Sequence, residues 1–328
     1  MPADLDMELA PANIDHASRW RNLHKLIFTS ATLPRYHKRC LHDYLLSIFL
    51  GIVEGLTEFL PVSSTAHLRI SEALLHIDLG DGYWKMFSIV IQLGAILCLP
   101  IYFWSRITTF LATYPKGSNG QKTAITHPLG LTIAAFVCTA VPSFLLQKVI
   151  GKHLESLTLM ASALIIGGIV MWIVDAMFGR NVGGGYEKAA AEEVERMSLP
   201  QAIWIGLCQT LSAVFPGTSR SMVTIAAGQV SGLSRTAALE FSFLLSIPTM
   251  IAATGYDLLK ALKGPDRVAI DSHGWTLLLI GFVISFIVAY IVVAWFMSWV
   301  RNRGFAPFAI WRLVVGAGVL FWALGGAH

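Results

Sequence analysis

The sequence predicts an all-α, polytopic integral membrane protein: six full spans plus two re-entrant helix-loop-helix hairpins, arranged as an inverted-topology repeat. Three observations carry that expectation. The chain of 328 residues is 55% hydrophobic and only 13% charged, with a mean hydropathy of +0.62, whereas a soluble domain carries about 25% charged residues. Apolar runs at 86–104, 129–147, 157–178, 236–259, 275–300 and 308–326 reach the roughly 20 residues that a spanning helix needs. Two further apolar segments, 43–77 and 201–231, are broken in the middle, and they resemble each other.

The first broken segment reads Gly51-Ile-Val-Glu54-Gly-Leu-Thr-Glu58-Phe-Leu-Pro61-Val-Ser63-Ser64-Thr65-Ala66-His67. The second reads Gly206-Leu-Cys-Gln209-Thr-Leu-Ser-Ala-Val-Phe-Pro216-Gly217-Thr218-Ser219-Arg220-Ser221. With Gly51 laid on Gly206, Glu54 meets Gln209, Leu56 meets Leu211 and Pro61 meets Pro216. Each is an apolar half-helix that stops at proline and opens into a hydroxyl-rich loop. Irregular backbone at membrane depth is tolerated only where protein or a wet cavity covers it, so both segments read as re-entrant hairpins rather than spans.

The rest of the chain divides by polarity. Residues 1–41 form an N-terminal extension, surface-bound or disordered, with six Lys and Arg among apolar residues and no basic leader before an apolar stretch. Residues 42–178 form the first half, a hairpin and three spans, and 200–328 form the second half in the same order. Three spans per half is an odd number, so the second hairpin enters from the opposite face. Phe87-Ser88 through Gln92 also resembles Phe241-Ser242 through Ser246. Residues 179–199 are a polar linker, Gly-rich and then charged, and 105–127 and 260–274 read as polar connectors. Lys and Arg totals on the two sides are similar outside the extension, so the positive-inside rule leaves orientation open. Cys40, Cys98, Cys138 and Cys208 show no metal-ligand spacing and read as free thiols.

Polar residues inside a bilayer are costly enough to imply function, and a repeated interrupted segment points to a binding site near mid-membrane. Glu54 and Glu58 stand at i and i+4, on one helix face. Two such carboxylates call for a cation or a proton between them, and carboxylate oxygens suit Mg²⁺ or Ca²⁺. Ser63, Ser64 and Thr65 supply hydroxyls, and His67 can move a proton near neutral pH. A serine three residues from a histidine reads either as nucleophile with base or as the N-cap of the following helix. Arg220, flanked by Gly217, Ser219, Ser221 and Thr224 at a helix start, suits phosphate; an ion pair with Glu58 or Glu240 is the competing reading. Asp175, Asp257 and Arg312 lie near span ends, where interfacial anchoring is the default. The whole describes a site for a phosphate group with a divalent cation, embedded where a lipid-tailed substrate would reach it.

The runs Glu54 through His67 and Pro216 through Ser221 resemble the two signatures of the undecaprenyl-diphosphate phosphatase family, the bacitracin-resistance type. Glu240-Phe-Ser-Phe-Leu-Leu-Ser-Ile-Pro248 is similar to a third block, and Phe305-Ala-Pro-Phe-Ala-Ile-Trp-Arg312 to the start of the last helix. The resemblance covers about 43–326. Ala66 stands where the family usually has glycine, and Met222 where glycine often follows the Ser-Arg-Ser run, putting bulk beside the phosphate loop.

The resemblance implies a multi-pass enzyme of the bacterial inner membrane. It hydrolyses undecaprenyl diphosphate to the monophosphate and inorganic phosphate on the outer, periplasmic side and so recycles the lipid carrier of cell-wall synthesis. It implies Ser64 as nucleophile, His67 as acid/base, Glu58 and Arg220 as catalytic partners, and Glu54 and Glu58 as the metal ligands. Ser63, Thr65, Gly217, Ser219, Ser221 and Thr224 would line the substrate. The expected partners are the polyprenyl diphosphate, membrane lipid and a second copy in a homodimer, with no nucleic acid. A secondary transporter or lipid flippase for an anionic substrate is the alternative, which would have no need of the serine–histidine loop.

Overall fold

The computed structural model describes residues 35–78, 82–146, 156–179, 193–263 and 270–325. Most of the N-terminal extension, and the Gly-rich start of the linker, lie outside the described residues. The chain divides into two compact units, Met1–Leu45 and Leu46–His328. The first is described only from Arg35, as the opening turns of the first helix. The second holds the rest of that helix and every later element.

Six helices are long and apolar enough to cross a bilayer: α3 (Gly82–Tyr102), α5 (Pro128–Leu145), α6 (Leu157–Phe178), α9 (Arg235–Lys263), α10 (Ser272–Asn302) and α11 (Ala306–Leu324). Two of their starts show standard N-terminal signals. Pro128 opens α5, where its missing N–H costs nothing, and His127 Nδ1 accepts from Leu129 N at 3.2 Å. Asp271 caps α10 through Gly274 N at 2.7 Å. The connector 105–127 holds more order than its polarity suggests: Trp104–Thr113 is an amphipathic helix, α4.

Both broken segments are helix–turn–helix hairpins. In the first, α1 (Arg35–Thr57) ends before Pro61 and α2 (Ser64–Leu74) begins just after it; in the second, α7 (Leu199–Val214) ends before Pro216 and α8 (Arg220–Val230) comes next. The proline explains each stop, because it disfavours helical backbone at the residue before it and clashes with the preceding turn.

Lipid tails are as apolar as leucine, so helices in a bilayer associate through close approach of small residues and a few polar bonds. Gly51 and Gly55 lie against α10, where a Cβ would come to 2.8 Å from Gly281 O and 2.7 Å from Ser285 O. Gly206 meets the backbone of Ala135 on α5 in the same manner. Side-chain hydroxyls complete these seams: Ser47 donates to Leu277 O at 2.7 Å, Thr139 to Gly206 O at 2.8 Å, and Ser285 to Ile91 O at 2.8 Å. The apolar core is built on α3, α8, α9 and α10, with Phe59, Phe243, Phe296 and Phe305 fully buried at its centre.

Candidate active site

Each hairpin turn closes on a serine in left-handed backbone. Ser63 has φ +75° and Ser219 φ +71°, a region that costs an L-residue roughly 1–2 kcal/mol. Both serve as N-caps: Ser63 Oγ accepts from Ala66 N at 3.5 Å, a long contact, and Ser219 Oγ from Met222 N at 3.3 Å. The capping reading of the hydroxyl loop therefore belongs to Ser63, and it leaves the next hydroxyl for other work.

That hydroxyl is Ser64, and it turns toward Glu58 rather than His67. Ser64 Oγ donates to Glu58 Oε2 at 2.5 Å. The other carboxylate oxygen, Oε1, accepts from Arg220 Nη2 at 3.3 Å. One buried carboxylate thus joins a hydroxyl of the first hairpin to a guanidinium of the second. Arg220 keeps two buried donors, Nε and Nη1, with no partner among the described residues. Its guanidinium lies 6.0 Å from the centre of the Phe59 ring, at the outer edge of cation–π range.

Both oxygens of Glu54 are buried without a hydrogen-bond partner among the described residues, and Glu58 and Glu72 are its charged neighbours. A buried carboxylate in that position needs a positive partner or a proton. Among the described residues no three His, Cys, Asp or Glu converge as a metal site. The Glu54–Glu58 pair still fits Mg²⁺, which is held by one or two carboxylates with substrate phosphates completing the shell.

His67 is committed elsewhere. Its Nδ1 lies 2.8 Å from Ser63 O, which can only accept, and its Nε2 receives Trp311 Nε1–H at 2.9 Å. That pairing fixes the neutral tautomer with the proton on Nδ1. The imidazole holds the carbonyl of the strained residue that aims Ser64.

Hydroxyls fix the second loop to the first and to α9. Ser221 Oγ donates to Leu60 O at 3.0 Å and pairs with Ser219 Oγ at 3.1 Å. Thr224 Oγ1 lies 2.6 Å from Ser242 Oγ on α9. Thr65 is exposed and Gly217 is buried. Gly217, at φ +92°, packs on α6, where a Cβ would lie 2.7 Å from Met160 O; its smallness serves helix packing. Met222 points into the same region: a Cβ at Gly167 would sit 2.9 Å from Met222 Cε. The methionine's bulk is therefore absorbed by α6 rather than standing in the phosphate loop.

Two expectations are corrected. Arg312 is no interfacial anchor: it is fully buried and donates to Pro61 O at 3.3 Å, Gly217 O at 3.2 Å and Ala163 O at 3.0 Å. It bridges the two hairpin turns. Asp175 is also buried, accepting from Arg235 Nε at 2.7 Å, Gln229 Nε2 at 3.1 Å and Phe305 N at 2.9 Å. Of the two carboxylates left open as partners of Arg220, Glu58 takes the pair at 3.3 Å, and Glu240 pairs with Arg106 of α4 at 2.8 Å. Sequence reasoning also passed over Glu72, which is buried and satisfied by Arg69 Nη1 at 2.9 Å and Ser88 Oγ at 2.8 Å. The one available signal was a carboxylate three residues from an arginine on a short helix.

Comparisons with known proteins identify the family. The family described as "Bacitracin resistance protein BacA" matches residues 47–318. A protein of Koribacter versatilis named undecaprenyl-diphosphatase is 68% identical over 291 residues, 87% of this chain and 99% of that protein. Proteins of the same name from Thermus thermophilus and Rhizobium etli are each 40% identical, over 85% and 87% of this chain and 97% and 98% of theirs.

Proposed function

The chain belongs to the bacitracin resistance protein BacA family, and on that premise we infer that this multi-pass membrane protein hydrolyses undecaprenyl diphosphate to undecaprenyl phosphate and inorganic phosphate. The observation that carries the reading at the residue level is the Ser64–Glu58–Arg220 connection across the two hairpins.

The terminal phosphorus meets Ser64 Oγ, whose proton passes to Glu58 Oε2, the acceptor already at hydrogen-bond distance. A bond forms from Oγ to the terminal phosphorus and the bridging P–O bond breaks, so undecaprenyl phosphate leaves with its negative charge. The two unpaired donors of Arg220 face that growing charge from a buried position, where fixed donors act most strongly. Water then attacks the phosphorus, the Oγ–P bond breaks, Glu58 returns its proton to Ser64 Oγ, and the water's protons leave on the released phosphate. His67 positions the loop through the Ser63 carbonyl. Glu54 and Glu58 would hold a divalent cation, which would neutralise the diphosphate charge.

The two halves are inverted repeats in this reading. What supports it is the matched pair of left-handed serine caps and the matched glycine contacts of Gly51 on α10 and Gly206 on α5. The setting is the bacterial inner membrane with the site open to the periplasmic side, where the released carrier lipid returns to cell-wall synthesis.

The test is phosphate release from undecaprenyl diphosphate by purified protein in detergent, with and without EDTA. Release that EDTA abolishes and Mg²⁺ restores is expected. Folded protein that binds the lipid and releases no phosphate would favour a transporter.

A further inference from the structure

Two large apolar concavities flank α7, and only one of them reaches the catalytic arginine. The first, about 710 Å³, runs between α5, α7 and α9 and is walled by Phe136, Ala140, Ala213, Met250 and Ala253, with Arg220 as its charged inner wall. The second, about 510 Å³, lies between α6, α7 and α8, and no charged side chain lines it. Both volumes fall in the range of ligand sites, so what separates them is where they lead.

The first groove changes character along its length. Arg220 and Gln209 both line it, and Arg220 Nε and Nη1 and Gln209 Oε1 are buried and without a partner among the described residues. On α9 the wall runs from Thr249 to Asp257, eight steps or about 12 Å at 1.5 Å rise per residue. Methyl groups and aromatic rings cover most of that wall, and Tyr256 and Asp257 mark its outer part. A ligand matching this surface has an anionic head at Arg220 and a hydrocarbon chain that leaves sideways along α9.

We propose that the groove between α5, α7 and α9 seats the first isoprene units of the substrate tail, and that Ala213 and Ala253 set the girth of chain it admits. The proposal rests on the phosphatase reading and deepens it, since the same Arg220 that binds the diphosphate closes the groove. The tail beyond Tyr256 lies in bilayer lipid. The second groove takes ordinary acyl chains, with no head-group contact to orient them.

Hydrolysis of undecaprenyl diphosphate and of farnesyl diphosphate tests this with full-length protein in nanodiscs, using Ala213→Trp, Ala253→Trp and, in the second groove, Ile166→Trp. Ala253, toward the outer part of the groove, and Ile166 are exposed on the protein surface, so neither indole has to enter the core. Ala213→Trp, beside the head group, is expected to raise KM for both substrates at least tenfold. Ala253→Trp is expected to raise KM about tenfold for both substrates, because farnesyl diphosphate carries the same first isoprene units, while its unfolding temperature matches wild type. Ile166→Trp is expected to match wild type on both. An unchanged KM in Ala253→Trp beside an active wild type overturns the groove assignment alone, as does a KM rise confined to Ile166→Trp. A wild type that releases no phosphate overturns the phosphatase reading, and the proposal with it.

Discussion

Glu58 accepts a hydrogen bond from Ser64 of its own hairpin at 2.5 Å and another from Arg220 of the opposite hairpin at 3.3 Å, one on each carboxylate oxygen. The carboxylate is thereby oriented from both sides, with one oxygen placed to receive the serine proton. Replacing it by an amide keeps the shape and removes the base. Glu58→Gln is expected to lower kcat by about 10²–10⁴, the range of general-base catalysis, read on folded protein at saturating substrate. Rapid quench with labelled substrate should trap phosphate on Ser64 in wild type and none in Ser64→Ala.

Arg220 offers two unpaired donors in addition to the one used on Glu58. A lysine keeps charge but not the planar fork. Arg220→Lys is therefore expected to lose activity nearly as fully as Arg220→Ala, by about 10²–10³ in kcat, as read by phosphate release.

The left-handed serines make a paired stability prediction. Ser63→Gly and Ser219→Gly lose a cap yet relieve backbone strain, so each should shift stability by only a few tenths of a kcal/mol. Ser63→Val and Ser219→Val keep the strain and add a branched side chain. They should cost more than about 1 kcal/mol each, measured by thermal unfolding in detergent, and the two positions should behave alike.

Arg106 and Glu240 form a pair at 2.8 Å with the carboxylate buried. Removing only the arginine breaks a pair made by a buried carboxylate, which costs about 3–5 kcal/mol. Arg106→Leu should sharply lower the unfolding temperature, and adding Glu240→Leu should recover most of the loss.

Much of the architecture is legible from apolar length alone. The six runs read from hydropathy coincide with six helices, because in a bilayer the length of an apolar stretch directly limits what can span it. The hairpins are legible because Pro61 and Pro216 break otherwise helical patterns. The residue types of the site are legible as well, since Glu54, Glu58, Ser64 and Arg220 are costly in an apolar segment. Partner choice is not. Nothing local distinguishes an Arg312 that anchors at an interface from one that bridges Pro61 and Gly217 across the core. The same holds for Ser64, whose nearest titratable neighbour in sequence is His67 but whose hydrogen bond goes to Glu58. Those choices are made by the turn of Ser63 into left-handed backbone and by the arrival of α11, both products of tertiary packing.

The central claim is that the two hairpins build one active site around Glu58, and a kinetic double-mutant cycle tests it most directly. Phosphate release from undecaprenyl diphosphate would be measured for wild type, Glu58→Gln, Arg220→Lys and the double variant. Groups acting on one phosphoryl transfer are strongly non-additive, so the double variant should be little worse than the poorer single one. A loss in kcat/KM equal to the product of the two single losses would contradict the claim.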